Sequence, residues 1–218
     1  NLSFTKNDLS GTMTNASAVD AADMDGDGDV DIVATASFSG SDAETRVYFN
    51  NGSETFSSVK INSGFEAQGS YDVKVADLDA DGDFDIVVAC SAQLVRYMND
   101  GQASSFTFTT INTGVTNHRD IEVVDVDGVN GLDVVVSSSS GVHWLQNDGA
   151  LNFTTNDVET GLSGPGINVY AADFDGDMDI DLLAAPYGNQ DVRLYLNDGS
   201  EVFSTNLISG IETGSLSM

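Results

Sequence analysis

The 218-residue chain carries 35 acidic side chains against seven Lys and Arg, and this net charge of −28 argues against nucleic acid or an anionic membrane surface as a direct partner. Its hydrophobic content of 40% is enough for a packed core, so acidity here does not mean disorder. Cys90 is the only cysteine, which excludes an intrachain disulfide, and no apolar run approaches the roughly 18 residues of a transmembrane segment.

In chain order, residues 3–10 read first as a short strand, whose place is set by the repeat downstream of it. An alternating strand containing Val19 and Ala21 leads into Asp23, Asp25, Asp27, Asp29 and Asp31 at alternate positions, with Gly28 among them. The apolar run Ile32-Val33-Ala34 comes next, then Val47-Tyr48-Phe49 ending in Asn50-Asn51-Gly52, and a fourth strand opening at Phe56. The same order recurs. Asp-rich segments begin at Asp23, Asp77, Asp125 and Asp173, at spacings of 54, 48 and 48 residues. The units span about 12–64, 65–114, 115–161 and 162–210 within a single repeat domain, 1–218. Each predicts four short strands, with Asn-Gly or Asp-Gly turns before the fourth. Residues 3–10 match the closing strand of a unit, with Phe4 and Gly11 spaced like Phe203 and Gly210. That extra strand predicts pairing with a β-edge contributed either by another chain, as self-association, or by another part of a larger protein.

A four-stranded unit cannot bury both faces alone, so neighbours must stack. The expectation is an all-β fold: a β-propeller built from four-stranded antiparallel blades with Asp-rich calcium loops, a linear solenoid or sandwich array being the alternative. Tyr48, Tyr97, Trp144 and Tyr195 recur once per unit and read as packing residues between blades, although rings beside Asn and Asp also suit sugar faces.

The loops carry the chemistry. Calcium takes six to eight hard oxygen ligands, and closely spaced carboxylates supply them. The candidate ligands are Asp23, Asp25, Asp27, Asp29 and Asp31; Asp77, Asp79, Asp81, Asp83 and Asp85; and Asp173, Asp175, Asp177, Asp179 and Asp181. Positions one, three, five and nine offer side chains, and position seven a carbonyl or an outer charge. The third loop offers Asp125, Asp127, Gly131 and Asp133 but has Val129 at position five, so of up to four calcium ions the third is held most weakly. Met178 replaces the turn glycine in the fourth loop. A lone Asp-rich loop has a solvated turn as its lesser reading; four at matching places in a repeat do not. These loops hold 18 of the 35 acidic residues, and four dications would bring −28 to −20.

The run Asp-Met-Asp-Gly-Asp-Gly-Asp-Val-Asp-Ile-Val, with the later aromatic, Asn-Asp-Gly and Phe segments, resembles the FG-GAP and VCBS-type calcium repeats of integrin-α-like propellers. The resemblance covers nearly the whole chain and carries over to residues 23–31, 77–85 and 173–181, while residues 125–133 depart from it at Val129. It implies a secreted or cell-surface protein, with adhesion or structural assembly as its role; the alternative is a carbohydrate- or protein-binding propeller attached to a secreted enzyme. A glycan or a surface protein is the implied partner. No phosphate loop, His-Glu-x-x-His or serine nucleophile elbow is present, and His118 and His143 read as surface or packing residues, so no enzyme is expected. Cys90, after Ile86-Val87-Val88-Ala89, reads as an inert core residue.

Overall fold

The computed structural model describes residues 8–9, 13–36, 43–53, 55–62, 69–111, 113–162, 167–186 and 192–208. Strands β1 (Ala16–Ala22), β2 (Asp31–Ala36), β3 (Glu44–Asn50) and β4 (Phe56–Lys60) form the first sheet. Strands β5 (Ser70–Ala76), β6 (Asp85–Cys90), β7 (Leu94–Asn99) and β8 (Phe106–Ile111) form the second. The third holds β9 (His118–Val124), β10 (Asp133–Ser138), β11 (Gly141–Asn147) and β12 (Phe153–Thr160). The fourth holds β13 (Ile167–Ala172), β14 (Asp181–Pro186), β15 (Val192–Asn197) and β16 (Phe203–Ile208). Every sheet is an antiparallel meander, and every Asp-rich loop joins its first strand to its second. The expected closing strand at 3–10 lies almost wholly outside the described residues.

The second strands are near-continuous apolar runs because both their faces are covered. Val33, Val87 and Val135 point one way and Ile86, Val134 and Leu182 the other, and all six are fully buried. One face of each sheet, here the trailing face, packs on the leading face of the next. Met24, Val33 and Val47 meet Val73, Ile86 and Tyr97. Leu78, Val87 and Leu94 meet Ile121, Val134 and Leu145. Val126, Val135 and Trp144 meet Val169, Leu182 and Tyr195. At about 1.5–3 kcal/mol for each large apolar side chain removed from water, these three interfaces hold the stack together.

Polar bonds fix the register across the same seams. Asp20 accepts from the Val75 amide at 2.8 Å, Asp72 from Ile121 at 3.1 Å and Asp120 from Val169 at 2.7 Å. Burial, with Asp72 close by, pushes the Asp120 carboxyl up to about 7. Lys74 pairs with Glu122 at 3.4 Å in the same row.

The expected β-propeller is not formed. The four sheets are separate and packed in series, β1 on β5, β5 on β9 and β9 on β13; among the described residues no comparable contact returns from β13 to β1. Closure would require the fourth sheet to cover the first, yet Val19 on β1 is 67% exposed and Tyr170 on β13 57%.

The recurring aromatics also divide. Tyr48, Tyr97 and Tyr195 stand opposite Ile32, Ile86 and Leu182, whereas Trp144 stands opposite Val135. Trp144 lies three residues before its strand-end asparagine and the tyrosines two, so it faces the other side of its sheet. All four rings are buried, as packing residues should be.

Candidate metal centres

Each loop runs nine residues from the end of a first strand to the start of a second. The position-one carboxylate accepts from the backbone ahead of it: Asp27 and Gly28 amides on Asp23 at 3.1 and 2.9 Å, and Asp81 and Gly82 amides on Asp77 at 3.1 and 3.0 Å. Position three accepts from position five, and position five from position seven, as with the Asp29 amide on Asp27 at 2.9 Å. These bonds curl the chain so that carboxylates converge. Three side chains in each loop bring an oxygen within 4.8 Å of one another: Asp23, Asp25 and Asp27; Asp77, Asp79 and Asp85; Asp125, Asp127 and Asp133; Asp173, Asp175 and Asp181.

The curl requires left-handed backbone at two positions. Gly28, Gly82 and Met178 have φ of 93°, 99° and 79° at position six, the last costing roughly 1 kcal/mol relative to glycine. Position four is left-handed as well, at Gly26, Ala80, Gly128 and Gly176. Asp29, Asp83 and Asp179 turn from the clusters toward the following hairpin, where they lean on Gly52, Gly101 and Gly199. A Cβ on Gly52 would come within 2.5 Å of the Asp29 carboxylate, the far end of a flexible side chain, so it is the φ of 73° that chiefly requires this glycine.

Position nine has two roles. Asp31, Asp85, Asp133 and Asp181 are buried, and each carboxylate bridges two backbone segments. Asp31 accepts from Met24 and Asn50 amides, Asp85 from Leu78 and Asn99, Asp133 from Val126 and Asn147, and Asp181 from Phe174 and Asn197, at 2.8–3.1 Å. One oxygen thus holds the loop and the other the end of the third strand. Burial outweighs these amide bonds and raises the carboxyls of Asp31 and Asp133, and that of Asp85 to about 6. A dication beside them would favour the charged form.

The sequence treated the asparagines at the third-strand ends only as turn signals, and they do more. Asn50, Asn99, Asn147 and Asn197 accept a turn amide on Oδ1 and donate Nδ2 to the loop carbonyls of Val30, Phe84, Leu132 and Ile180. Asn99 and Asn197 also donate to the preceding unit's loop, at the carbonyls of Met24 and Val126. Their recurrence at one place in all four units was the available signal.

The third loop is built differently. Val129 stands at position five, half exposed, and Asn130 and Gly131 are consecutive left-handed residues with φ of 63° and 92°. Two side-chain donors enter it from β11: Trp144 Nε1 on Asp133 at 2.9 Å and Gln146 Nε2 on Asp127 at 2.7 Å. Protein N–H groups there perform part of the work that a cation performs on a bare cluster.

A second polar cluster lies apart from the loops. His143 Nδ1 is 2.7 Å from Asp157, and its Nε2 is 3.0 Å from Ser138 Oγ. Ser138 is fully buried, the exposed Ser140 lies 2.8 Å from it and 3.4 Å from the same His143 Nε2, and the arrangement ties β10, β11 and β12 together. His118 is buried between Thr113 and the Cys90 carbonyl, and its burial lowers its pKa. Burial pushes the Cys90 thiol up to about 12, matching its reading as inert core. Among the described residues no helix is long and apolar enough to cross a membrane.

Clefts open between adjacent loops. One of about 250 Å3 lies between the third and fourth, beside Asp127, Met178, Asn197 and Glu201. Another of about 270 Å3 lies between the second and third, beside Asp79, Asp125, Asn130 and Asn147.

A family profile described as FG-GAP-like repeat matches residues 35–88 and 130–184. Among curated proteins none matches the chain. Two solved structures share the fold. A lectin of Agrocybe aegerita, described as recognising non-reducing terminal N-acetylglucosamine, is 24% identical with a TM-score of 0.62 over 91% of this chain and 54% of its own. The V. cholerae biofilm matrix protein Bap1 is 19% identical with a TM-score of 0.50 over 86% of this chain and 30% of its own. This chain therefore spans about half the length of the lectin and less of the biofilm protein.

Proposed function

The chain belongs to the FG-GAP-like repeat family, and from that premise we propose that it is a calcium-stabilised, non-catalytic recognition module of the cell exterior whose ligand class is carbohydrate. The observation that carries the calcium part is a three-carboxylate cluster in the same loop of all four units, positions one and three being joined by position five in the first loop and by position nine in the others. The donors are hard oxygens, the set calcium prefers. Asp23, Asp25, Asp27 and Asp31 would hold the first ion, Asp77, Asp79, Asp81 and Asp85 the second, and Asp173, Asp175, Asp177 and Asp181 the fourth. Asp125, Asp127 and Asp133 would hold the third most weakly. When bound, calcium supplies charge neutralisation and a rigid tie across the loop. The chain's own residues do the remaining work: left-handed positions curl the loop, position nine joins it to the third strand, and the asparagine joins it to the next unit.

The carbohydrate part draws on the inter-loop clefts, where carboxylates and amides that suit sugar hydroxyls stand beside apolar side chains such as Met178. A glycan array probed with the calcium-loaded chain tests it. The expected result is retention of a restricted set of glycans, lost on Glu201→Ala with the melting curve unchanged. Absence of any retained glycan, with all calcium sites filled, would remove the carbohydrate reading and leave the calcium reading intact. An adhesive or structural role is the second reading, favoured by the apolar side chains exposed at the fourth sheet.

A further inference from the structure

We propose that Ser140 is a nucleophile that captures the acyl group of an uncharged carboxylic ester as a covalent acyl-serine, independently of the calcium and carbohydrate readings. The third unit differs from the other three at one corner, the end of β10 away from its metal loop. The sixth residue of the second strand is Ala36, Cys90 and Pro186 in those units and Ser138 here. Four residues before the strand-end asparagine, the pair across the third and fourth strands is Arg46–Lys60, Val95–Thr110 and Arg193–Leu207 in those units. Here it is His143–Asp157. Two residues beyond Ser138, where the second unit has Ala92, stands the exposed Ser140. The other units form the same meander without these groups, so the fold does not require the cluster. Two hydroxyls, an imidazole and a carboxylate thus come together in one unit alone.

The contacts form one line running inward from solvent. Ser140 Oγ is 2.8 Å from Ser138 Oγ and 3.4 Å from His143 Nε2, and Ser138 Oγ is 3.0 Å from that nitrogen. His143 Nδ1 lies 2.7 Å from the Asp157 carboxylate, an acceptor, so Nδ1 carries the proton and Nε2 is left to accept. Ser140 is the exposed end of a relay whose base is oriented by a carboxylate. Its backbone is fixed on both sides. The Ser140 amide donates to Ser138 Oγ at 3.1 Å, and the Gly161 amide donates to the Ser140 carbonyl at 2.8 Å. Gly141 packs so closely on β12 that a Cβ there would lie 1.9 Å from the Glu159 carbonyl oxygen. In the reaction, Ser140 Oγ bonds to the ester carbonyl carbon while its proton passes, directly or through Ser138, to His143 Nε2. The bond from that carbon to the alkoxy oxygen then breaks, and the proton leaves with the alcohol. Acyl-Ser140 and a free alcohol are the products. Hydrolysis of the acyl-serine would need a water at His143 Nε2, an atom covered by Ser138 and Ser140 on a residue 1% exposed. The step is therefore a capture and not a turnover. Asp157 and Glu159 on β12 repel an anionic ester from this corner.

Incubating the calcium-loaded full chain with a biotinylated fluorophosphonate, and separately with p-nitrophenyl acetate, tests this. Mass mapping should place the phosphonyl or acetyl group on Ser140, and release of p-nitrophenolate should stall at about one equivalent per chain. Ser140→Ala should lose both reactions. Asp157 is a positioning residue, so Asp157→Asn should react about tenfold more slowly and displace the pH profile of labelling. Both side chains are exposed and outside the metal loops, and thermal melts verify that each variant folds. Mapping on the wild-type chain needs no variant at all. A wild-type chain left unmodified by both probes would overturn the proposal, as would label confined to lysines or to any serine other than Ser140. An Asp157→Asn chain that matches wild type in rate and in pH profile would overturn it too, leaving Ser140 an ordinary surface hydroxyl.

Discussion

The third loop and the other three reach similar shapes by different means. Loops one, two and four place five carboxylates in nine residues and gather three of them; in loop two the Arg96 guanidinium lies near enough to Asp85 and Asp79 to feel their charge, but it donates its hydrogen bond to the Leu151 carbonyl. Loop three has lost a carboxylate at Val129 and gained Trp144 Nε1 and Gln146 Nε2 as donors to the acids that remain. Two jobs are therefore separable in these loops. Bridging the loop to the third strand is done by position nine through backbone amides, with or without a cation. Neutralising the cluster falls to the proposed cation in three loops and partly to the protein itself in the third.

The heaviest loss should come at position nine. Asp133→Ala strands the amides of Val126 and Asn147 and the Trp144 indole N–H, and Asp85→Ala strands two amides. At about 1–3 kcal/mol for each buried unsatisfied donor, both should cost several kcal/mol in urea unfolding with chelator present. The cost at Asp133 should equal or exceed that at Asp85; a negligible cost at Asp133 would show that position nine matters only through metal.

Next in size is removal of calcium. A site filled at a hundredfold excess over its Kd contributes about 2.7 kcal/mol, so chelation should lower the melting temperature by many degrees. Amide exchange should then quicken most in loops one, two and four and least in loop three. Uniform quickening would contradict the division of labour.

A lesser change concerns the donors. Gln146→Leu removes the amide from Asp127, and calorimetric titration should find the weakest site tightened by up to about tenfold while the chelated protein loses stability. The repair of position five ranks last. Val129→Asp should tighten the same site modestly, because Asn130 and Gly131 give this loop a different backbone path, whereas Asp81→Ala in loop two should abolish a site.

The four-stranded repeat and the clustering of loop acids were legible because alternate Asp, a turn glycine and an apolar run are local patterns. The missing carboxylate of loop three was legible from Val129 alone. Its compensation was not, since Trp144 and Gln146 lie 11 and 19 residues from the acids they serve. The same one-residue offset hid the face of Trp144, because an aromatic near the end of a strand looks alike in either register. Closure was misread for a different reason: the angle between stacked sheets is a property of the side chains wedged between them, and no repeat count supplies it. The clamp asparagines were seen and undervalued, since Asn before Gly already has a sufficient local explanation as a turn.

The bridging aspartate has a kinetic consequence. Asp31 joins Met24, seven residues behind it, to Asn50, 19 residues ahead, so its burial is tolerable only once both amides are in place. A β1–β2 hairpin formed alone would bury half of that carboxylate's surroundings and satisfy one of its oxygens. We therefore expect the three strands to condense together, with the end of β3 already in place in the transition state, so that Asp31→Ala should slow refolding as well as speed unfolding in stopped-flow measurements. An ion bound by the finished cup, as proposed, should slow unfolding far more than it speeds folding.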